Sequence, residues 1–148
     1  MDIAGIAFTE TVDGIRTHQL AGFFVGWSRR PSAELLLSVL VRSDRIVIAR
    51  DTQNGSVAGF VAALTDGLIA AYITLLEVRP VHQRRGIGTQ LVRRMLNSLE
   101  PLNMIDAVCD EEVLPFYRRF GVTPAVGVAW RDVTALAAVD ASQQRSYE

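Results

Sequence analysis

The nineteen residues VRPVHQRRGIGTQLVRRML (Val78–Leu96) constrain the fold more than any other part of the chain. They read as the end of a strand, a joint with two glycines and several basic residues, and then a helix. Ile87, Leu91, Val92, Met95, Leu96 and Leu99 fall on one face of a 3.6-residue period, and Arg93, Arg94, Asn97 and Ser98 fall on the other. Pro101 follows the helix, and NMIDAVC, from Asn103 to about Cys109, reads as a further strand. Strand, joint, helix and strand make a βαβ crossover, whose two strands run parallel with a right-handed connection. Ligands of such units sit beyond the carboxyl ends of the strands.

What precedes the crossover has a different rhythm. RIVIARD (Arg45–Asp51), SVAGFVAALT (Ser56–Thr65) and LIAAYITLLEVR (Leu68–Arg79) are apolar, β-rich runs separated by Asn54-Gly55 and Asp66-Gly67. Both dipeptides suit turns that need positive φ, so the three runs form an antiparallel meander. Ahead of it, Ser32 can cap a helix, Glu34 suits the helix dipole, and Leu35–Val41 give the helix a packing face. A short strand is expected near Ile3–Phe8 and a helix over Thr17–Trp27, which carries Phe23, Phe24 and Trp27. Beyond the crossover, EEVLPFYRRFG reads as a short helix that starts late enough to place Pro115 in its first turn and closes at Gly121. VGVAWRDV (Val126–Val133) reads as a last strand. The fold class is therefore α/β in the α+β sense, with a mixed, mostly antiparallel central sheet.

A length of 148 residues suits one domain, placed here at residues 1–135 with a C-terminal tail at 136–148. A net charge of −1 argues against a protein held to nucleic acid or an anionic membrane by bulk charge, so any basic site must be local. The single cysteine, Cys109, permits no intrachain disulfide. The first residues lack the basic region of a secretory signal, and LIAAYITLL is too short to span a bilayer. A cytoplasmic location is the expectation. With two scattered histidines and one cysteine, no metal site is expected.

The chemistry resides in the joint. A helix N-terminus offers unpaired N–H groups and a positive dipole end, which suit a phosphate. Gly86 and Gly88 let backbone approach closely, and Arg84 and Arg85 add positive charge. A Walker loop requires Lys-Ser/Thr after its last glycine, where this chain has Thr89-Gln90. A dinucleotide fingerprint requires a third glycine where this chain has Leu91, and strands alternating with helices where it has a meander.

Gln83-Arg84-Arg85-Gly86-Ile87-Gly88 resembles the (Gln/Arg)-x-x-Gly-x-(Gly/Ala) signature of the GCN5-related N-acetyltransferases, the GNAT family. Phe116–Gly121, FYRRFG, resembles a later signature of that family, and the order of elements is similar from about Phe23 to Val133. The resemblance implies the GNAT fold, with two splayed parallel strands that bind acetyl-CoA. It implies that backbone N–H groups of Arg84, Arg85, Gly86, Ile87, Gly88 and Thr89, introduced by Gln83, take the pyrophosphate. The pantetheine arm would pair with backbone near Leu76 and Val78, and an N–H near Leu76 would face the thioester carbonyl.

The resemblance also implies that Tyr117 is the general acid for the leaving thiolate; the alternative role is packing. Glu77, a carboxylate within an apolar strand, is the candidate base, because a buried carboxylate has a raised pKa. The alternatives are a supporting role for Glu77, or Tyr72 with a water chain as the base. Asp110 stands where relatives often carry an asparagine that bonds the pantetheine. Asp110 contacts the cofactor on that reading and caps the following helix on the other. Cys109 reads as a small buried hydrophobe, His82 and His18 as surface residues, and Arg93, Arg94, Arg118 and Arg119 mainly as a solvated face. Phe23, Phe24 and Trp27 are core residues or the wall of an acceptor pocket.

The function implied is acetyl transfer from acetyl-CoA to a primary amine, on a small molecule or a protein, by direct attack in a ternary complex. The runner-up is an acyl-CoA-binding or regulatory module of the same fold without turnover. Neither nucleic acid nor membrane is expected as a partner. The VGVAW segment fits a homodimer interface or an internal strand.

Overall fold

The computed structural model describes residues 2–132 and 134–145, the last three as backbone only. Its centre is one five-stranded sheet in the order β1-β2-β3-β4-β5. The strands are β1 (Ile6–Thr9), β2 (Arg45–Asp51), β3 (Val57–Thr65), β4 (Ala70–Val78) and β5 (Met104–Ala107). The first four pair antiparallel in sequence order, and β5 joins β4 in parallel through the expected crossover. The helices are α1 (Ala33–Arg42), α2 (Ile87–Ser98), α3 (Leu114–Arg118) and α4 (Ala135–Arg145).

Alternation along the strands sorts the core into two layers. Val47 and Ala49 of β2, Val61 and Ala63 of β3, and Ala71 and Ile73 of β4 meet Ile87, Leu91, Met95 and Leu99. These last four are the predicted apolar face of α2, and Leu96 at its margin is only half-buried. On the other side Ile46, Ile48, Phe60 and Ala62 meet Leu36 and Leu40 of α1, together with Leu20, Phe23 and Phe24. With a layer on each side, β3 is buried along nearly its whole length. This explains why its sequence reads as one apolar run.

Local chemistry sets the helix ends. Ser32 caps α1 by accepting the Leu35 N–H at 3.1 Å. Its own N–H donates to Asp140 of α4 at 3.0 Å and its hydroxyl bonds the same carboxylate, which ties α4 onto α1. Pro115 sits in the first turn of α3, where its missing N–H costs nothing. Gly121, at φ 74°, turns the chain out of that helix.

Four expectations need correction here. Thr17–Trp27 is not one helix: a 3₁₀ turn at Thr17–Leu20 is followed by Gly22, Phe24 and Gly26 at φ 84°, 61° and 90°. Left-handed residues at every second position cannot continue a right-handed helix. At the β2–β3 connection only Gly55 takes positive φ. Asn54 instead accepts the Ser56 N–H through its side chain, and the loop closes through Gly55 N–H to Asp51 O at 2.8 Å. The strand expected at VGVAWRDV is absent over Val126–Asp132, where the backbone meets no neighbouring strand; Val133 lies outside the described residues. Arg94 is not a solvated residue, because its guanidinium stacks 4.5 Å from the Phe8 ring.

Candidate active site

The sheet opens where the crossover predicts a ligand. β4 and β5 pair only from Ala70–Ile73 to Met104–Ala107, and β4 continues alone on that side to Val78. The break coincides with a bulge. Pairing with β3 passes from Ile73 opposite Ala63 to Leu75 opposite Ala62, so Thr74 is the extra residue. Its hydroxyl donates to Ala62 O at 3.3 Å. A bulge bends its strand and increases its twist, which parts β4 from β5. The free edge beyond it contains Leu76, Glu77 and Val78. Leu76 and Val78 face the α2 layer. Glu77 stands opposite Phe60, on the α1 side.

The joint lies at the end of that edge. Gln83 holds it to β4 through Nε2 donating to Val78 O at 2.9 Å. Arg84 and Gly86 take left-handed conformations, at φ 59° and 84°, and Ile87 begins α2. Among the described residues, the N–H groups of Arg84, Arg85, Gly86, Ile87, Gly88 and Thr89 have no acceptor; the N–H of Gln83 before them donates to Pro80 O, and that of Gln90 after them to Gly86 O. Six consecutive free donors at a helix N-terminus fit a pyrophosphate.

The two arginines of the joint differ. Arg84 is exposed and has no partner among the described residues. Arg85 is committed to the fold: it donates to His82 Nδ1 at 3.1 Å and to Ala4 O at 3.2 Å. This fixes the tautomer of His82, since arginine can only donate and Nδ1 must accept. Nε2 then carries the proton and points toward Asp51 Oδ2, 4.0 Å away. His82, expected at the surface, is buried between Arg85 of the joint and Asp51 of β2.

α3 borders the cleft. Phe116 lies where a Cβ on Gly88 would sit 3.6 Å from its ring, and its ring contacts those of Tyr117 and Phe120. Arg119 stacks on Phe116 and donates to Thr89 Oγ1 at 3.3 Å. Burial, with smaller contributions from Cys109 and Tyr72, pushes the Tyr117 phenol above its ordinary pKa. Tyr117 therefore holds its proton throughout the neutral range. Cys109 is half-buried beside it, not sealed in the core. Asp110 occupies the position before the 3₁₀ turn Glu111–Val113, but its side chain caps nothing and stands exposed.

Glu77 lies on the α1 side of β4. Burial raises its carboxyl above the ordinary range, partly offset by the Phe24 N–H, which donates to it. The left-handed turn at Phe24 presents that N–H. Such strain in a buried phenylalanine survives only where the surroundings hold it. Phe24 packs on Phe60 and Trp27, and Phe23 lies 4.5 Å under the guanidinium of Arg79. Arg79 in turn donates to Val57 O at 2.6 Å and Gln19 O at 2.8 Å, clamping this loop to the sheet. Phe23 and Phe24 are thus core residues, whereas Trp27 is exposed at the rim. No hydrogen bond joins Glu77 to Tyr117 among the described residues.

Three parts of the site escape sequence reasoning. The Thr74 bulge carries no glycine or proline to mark it. The Phe24 strain falls on a residue type that rarely adopts it. The Arg79 clamp depends on carbonyls distant in sequence.

A sequence model of the acetyltransferase (GNAT) family matches residues 12–122, and the chain belongs to that family. The five-stranded mixed sheet with its parted parallel pair is the fold of GNAT acetyltransferases. A candidate acetyltransferase from Deinococcus radiodurans R1 is 42% identical, with a TM-score of 0.88 over 93% of this chain and 95% of its own. GCN5-related N-acetyltransferase 1, chloroplastic, of Arabidopsis thaliana is 26% identical over 82% of this chain and 63% of its own length. An uncharacterized ycf52-like N-acetyltransferase of Prochlorococcus marinus is 30% identical over 76% of this chain and 64% of its own. The chain thus spans a little under two thirds of these two curated relatives.

Proposed function

We propose that this protein is an acetyl-CoA-dependent N-acetyltransferase that acylates a primary amine by direct attack in a ternary complex. The observation that carries the reading is the run of six free N–H groups from Arg84 to Thr89, at the end of an unpaired β4 edge. Bound acetyl-CoA would supply the activated acetyl group as a thioester. Residues of the joint would hold its pyrophosphate with Arg84 beside them, and backbone near Leu76 and Val78 would hold its extended arm.

The remaining chemistry belongs to the side chains of Glu77 and Tyr117. An alkyl ammonium of pKa about 10 is nearly all protonated at neutral pH, so the acceptor must lose a proton before it attacks. Glu77, with its raised pKa and fixed Phe24 donor, takes that proton directly or through water. A backbone N–H near Leu76 stabilises the negative oxygen that forms at the carbonyl. The new N–C bond replaces the C–S bond, and Tyr117 supplies a proton to the departing thiolate. Asp110 at the rim offers an acceptor either to the amide-bearing arm or to a cationic amine. The acceptor class stays at primary amines, small or peptidic, and the site of action at the cytoplasm.

The test is release of CoA thiol across a panel of amines, comparing the wild type with Tyr117→Phe and Glu77→Gln. The reading expects thiol release that needs an amine, and a fall of roughly 10²-fold or more for either variant, as for loss of a positioned acid or base. Tight acetyl-CoA binding without amine-dependent release would instead identify a binding module.

A further inference from the structure

A cavity of about 310 Å³ lies between α1, α4 and the sheet. Leu35 and Val39 of α1, Leu64 of β3, Leu75 of β4 and Val139 of α4 form its apolar walls. Such a size and such a lining suit a small molecule. The bond from the Ser32 N–H to Asp140 holds α4 in place over α1. Leu64 and Val139 are 48% and 47% exposed, which leaves apolar surface for a ligand body to cover.

This cavity meets the parted strands from the α1 side. Thr74 and Leu75 belong to its lining. They lead directly into Leu76, where the proposed reaction places the N–H that meets the thioester oxygen. Glu77 shares the α1 face of β4 with Leu75, two residues on, so at about 3.3 Å per residue it stands roughly 7 Å further along the strand. α1 runs antiparallel to β4. Asp44, just past its end, bonds Ala63 and Thr65 of β3, which pair with the start of β4. Leu35 therefore lies toward Glu77, and Arg42 lies at the far end. The hydroxyls of Ser43 and Thr74 are committed to Val39 O and Ala62 O, at 2.8 and 3.3 Å. Arg42 is the one charged residue of the described lining, and its guanidinium has no partner among the described residues.

We infer that this cavity is the acceptor pocket, and that it takes a primary amine joined through an apolar body to a carboxylate. The inference rests on the acetyltransferase reading and names its substrate class. The amine lies toward Glu77 and the thioester, the body runs along Val39, Leu64 and Val139, and the carboxylate meets Arg42. From Leu35 to Arg42 the helix advances roughly 10 Å, at about 1.5 Å per residue. An extended chain covers about 1.2 Å per bond, so roughly eight bonds separate the nitrogen from the carboxyl carbon. A plain alkylamine leaves the guanidinium unpaired, and a diamine sets a second ammonium against it. The transfer balances as one ammonium and one thioester giving one amide, one CoA thiol and one proton. The C–S bond breaks as the N–C bond forms. Of the two protons that the nitrogen sheds, the first passes through Glu77 to solvent, and the second replaces the one that Tyr117 gives to sulfur.

The test is amine-dependent thiol release with 8-aminooctanoate, octylamine and 1,8-diaminooctane, for the full-length wild type, Arg42→Glu and Arg42→Lys. In the wild type, kcat/KM for 8-aminooctanoate is expected to exceed the other two about tenfold or more, as for one charge-assisted bond. The order should invert toward the diamine in Arg42→Glu and persist in Arg42→Lys. A second measurement needs no transfer: calorimetric titration with octanoate, which has the body and the carboxylate but no amine. Octanoate is expected to bind the wild type and to bind Arg42→Glu about tenfold more weakly or less, with circular dichroism confirming that the variant is folded. Equal rates with octylamine and 8-aminooctanoate, or octanoate binding that is absent or indifferent to Arg42→Glu, overturn the inference. Amine-dependent release that favours octylamine sinks the pocket and leaves the transferase reading standing. No release with any amine sinks that reading, and the octanoate titration then decides the pocket on its own.

Discussion

Alanine at Gly86 and at Gly88 should have opposite effects, although the two glycines stand two residues apart in one joint. Gly86 is at φ 84°, and an added Cβ would meet only Ile3 Cδ1, at 3.9 Å. Space is not the obstacle there. The left-handed conformation is, at about 1–2 kcal/mol for a residue with a Cβ. Gly88 has ordinary helical geometry, and a Cβ would rest at 3.6 Å from Phe116 and 3.7 Å from Val78 Cγ2, normal contact distances. Alanine there removes glycine's entropic penalty in a helix, roughly 0.5–1 kcal/mol. The two variants should thus differ by about 2 kcal/mol, or roughly 4–8 °C in Tm for a domain of this size, with Gly88→Ala the more stable. Thermal melting followed by circular dichroism reads the difference. Acetyl-CoA titration should show Gly88→Ala close to wild type and Gly86→Ala about tenfold weaker, the equivalent of about 1.4 kcal/mol, as the joint relaxes its strained turn. Equal melting temperatures, or a less stable Gly88→Ala, would refute the assignment of Gly86 as the strained element.

Three further outcomes follow from the same structure. A Cβ at Gly59 would lie 2.7 Å from the Glu77 carbonyl and 3.3 Å from Leu91 Cδ1, so Gly59→Ala must push β4 outward; a loss of about 1–3 kcal/mol in urea unfolding is expected. Arg79→Lys keeps the charge but cannot both reach Val57 O and Gln19 O and stack on Phe23, so it should cost about 1–3 kcal/mol in the same assay and leave Leu91-side packing intact. Because burial raises the Glu77 pKa, the ascending limb of kcat against pH should lie above the ordinary 4.5 and disappear in Glu77→Gln. The stability effect has the matching sign. The buried carboxylate opposes folding most when the pH is above its folded pKa; that cost shrinks as pH falls below this value and is gone below the ordinary 4.5, so Glu77→Gln should raise Tm at neutral pH and lose its advantage in acid.

The sheet and its crossover were legible because their signals are local and repeated. Apolar, β-rich runs between Arg45 and Arg79, separated by Asn54-Gly55 and Asp66-Gly67, mark the meander, and the spacing of Ile87, Leu91, Met95 and Leu99 marks α2. Ser32, Pro115 and Gly121 mark helix ends by their own backbone chemistry. The turn at the joint was legible for the same reason: its glycines and its position between strand and helix mark the bend into α2. The walls of the cleft were not. His82 looks like a surface residue until Asp51 of β2, distant in sequence, is seen beside it. The segment Thr17–Trp27 has enough apolar residues for a helix, but burying Phe23 and Phe24 against Phe60 requires left-handed turns that composition does not reveal. Val126–Asp132 has the composition of a strand and lacks only a partner, which no property of the segment itself supplies.

The most direct measurement is isothermal titration of the full chain with acetyl-CoA, with ATP and NAD titrated alongside. The account predicts micromolar binding of acetyl-CoA alone, weakened by Arg84→Glu, whose side chain is free at the joint, and less affected by Gly88→Ala. Absence of acetyl-CoA binding, or equal binding of all three ligands, would contradict the assignment of the joint as a cradle for CoA, and with it the roles given to Glu77 and Tyr117.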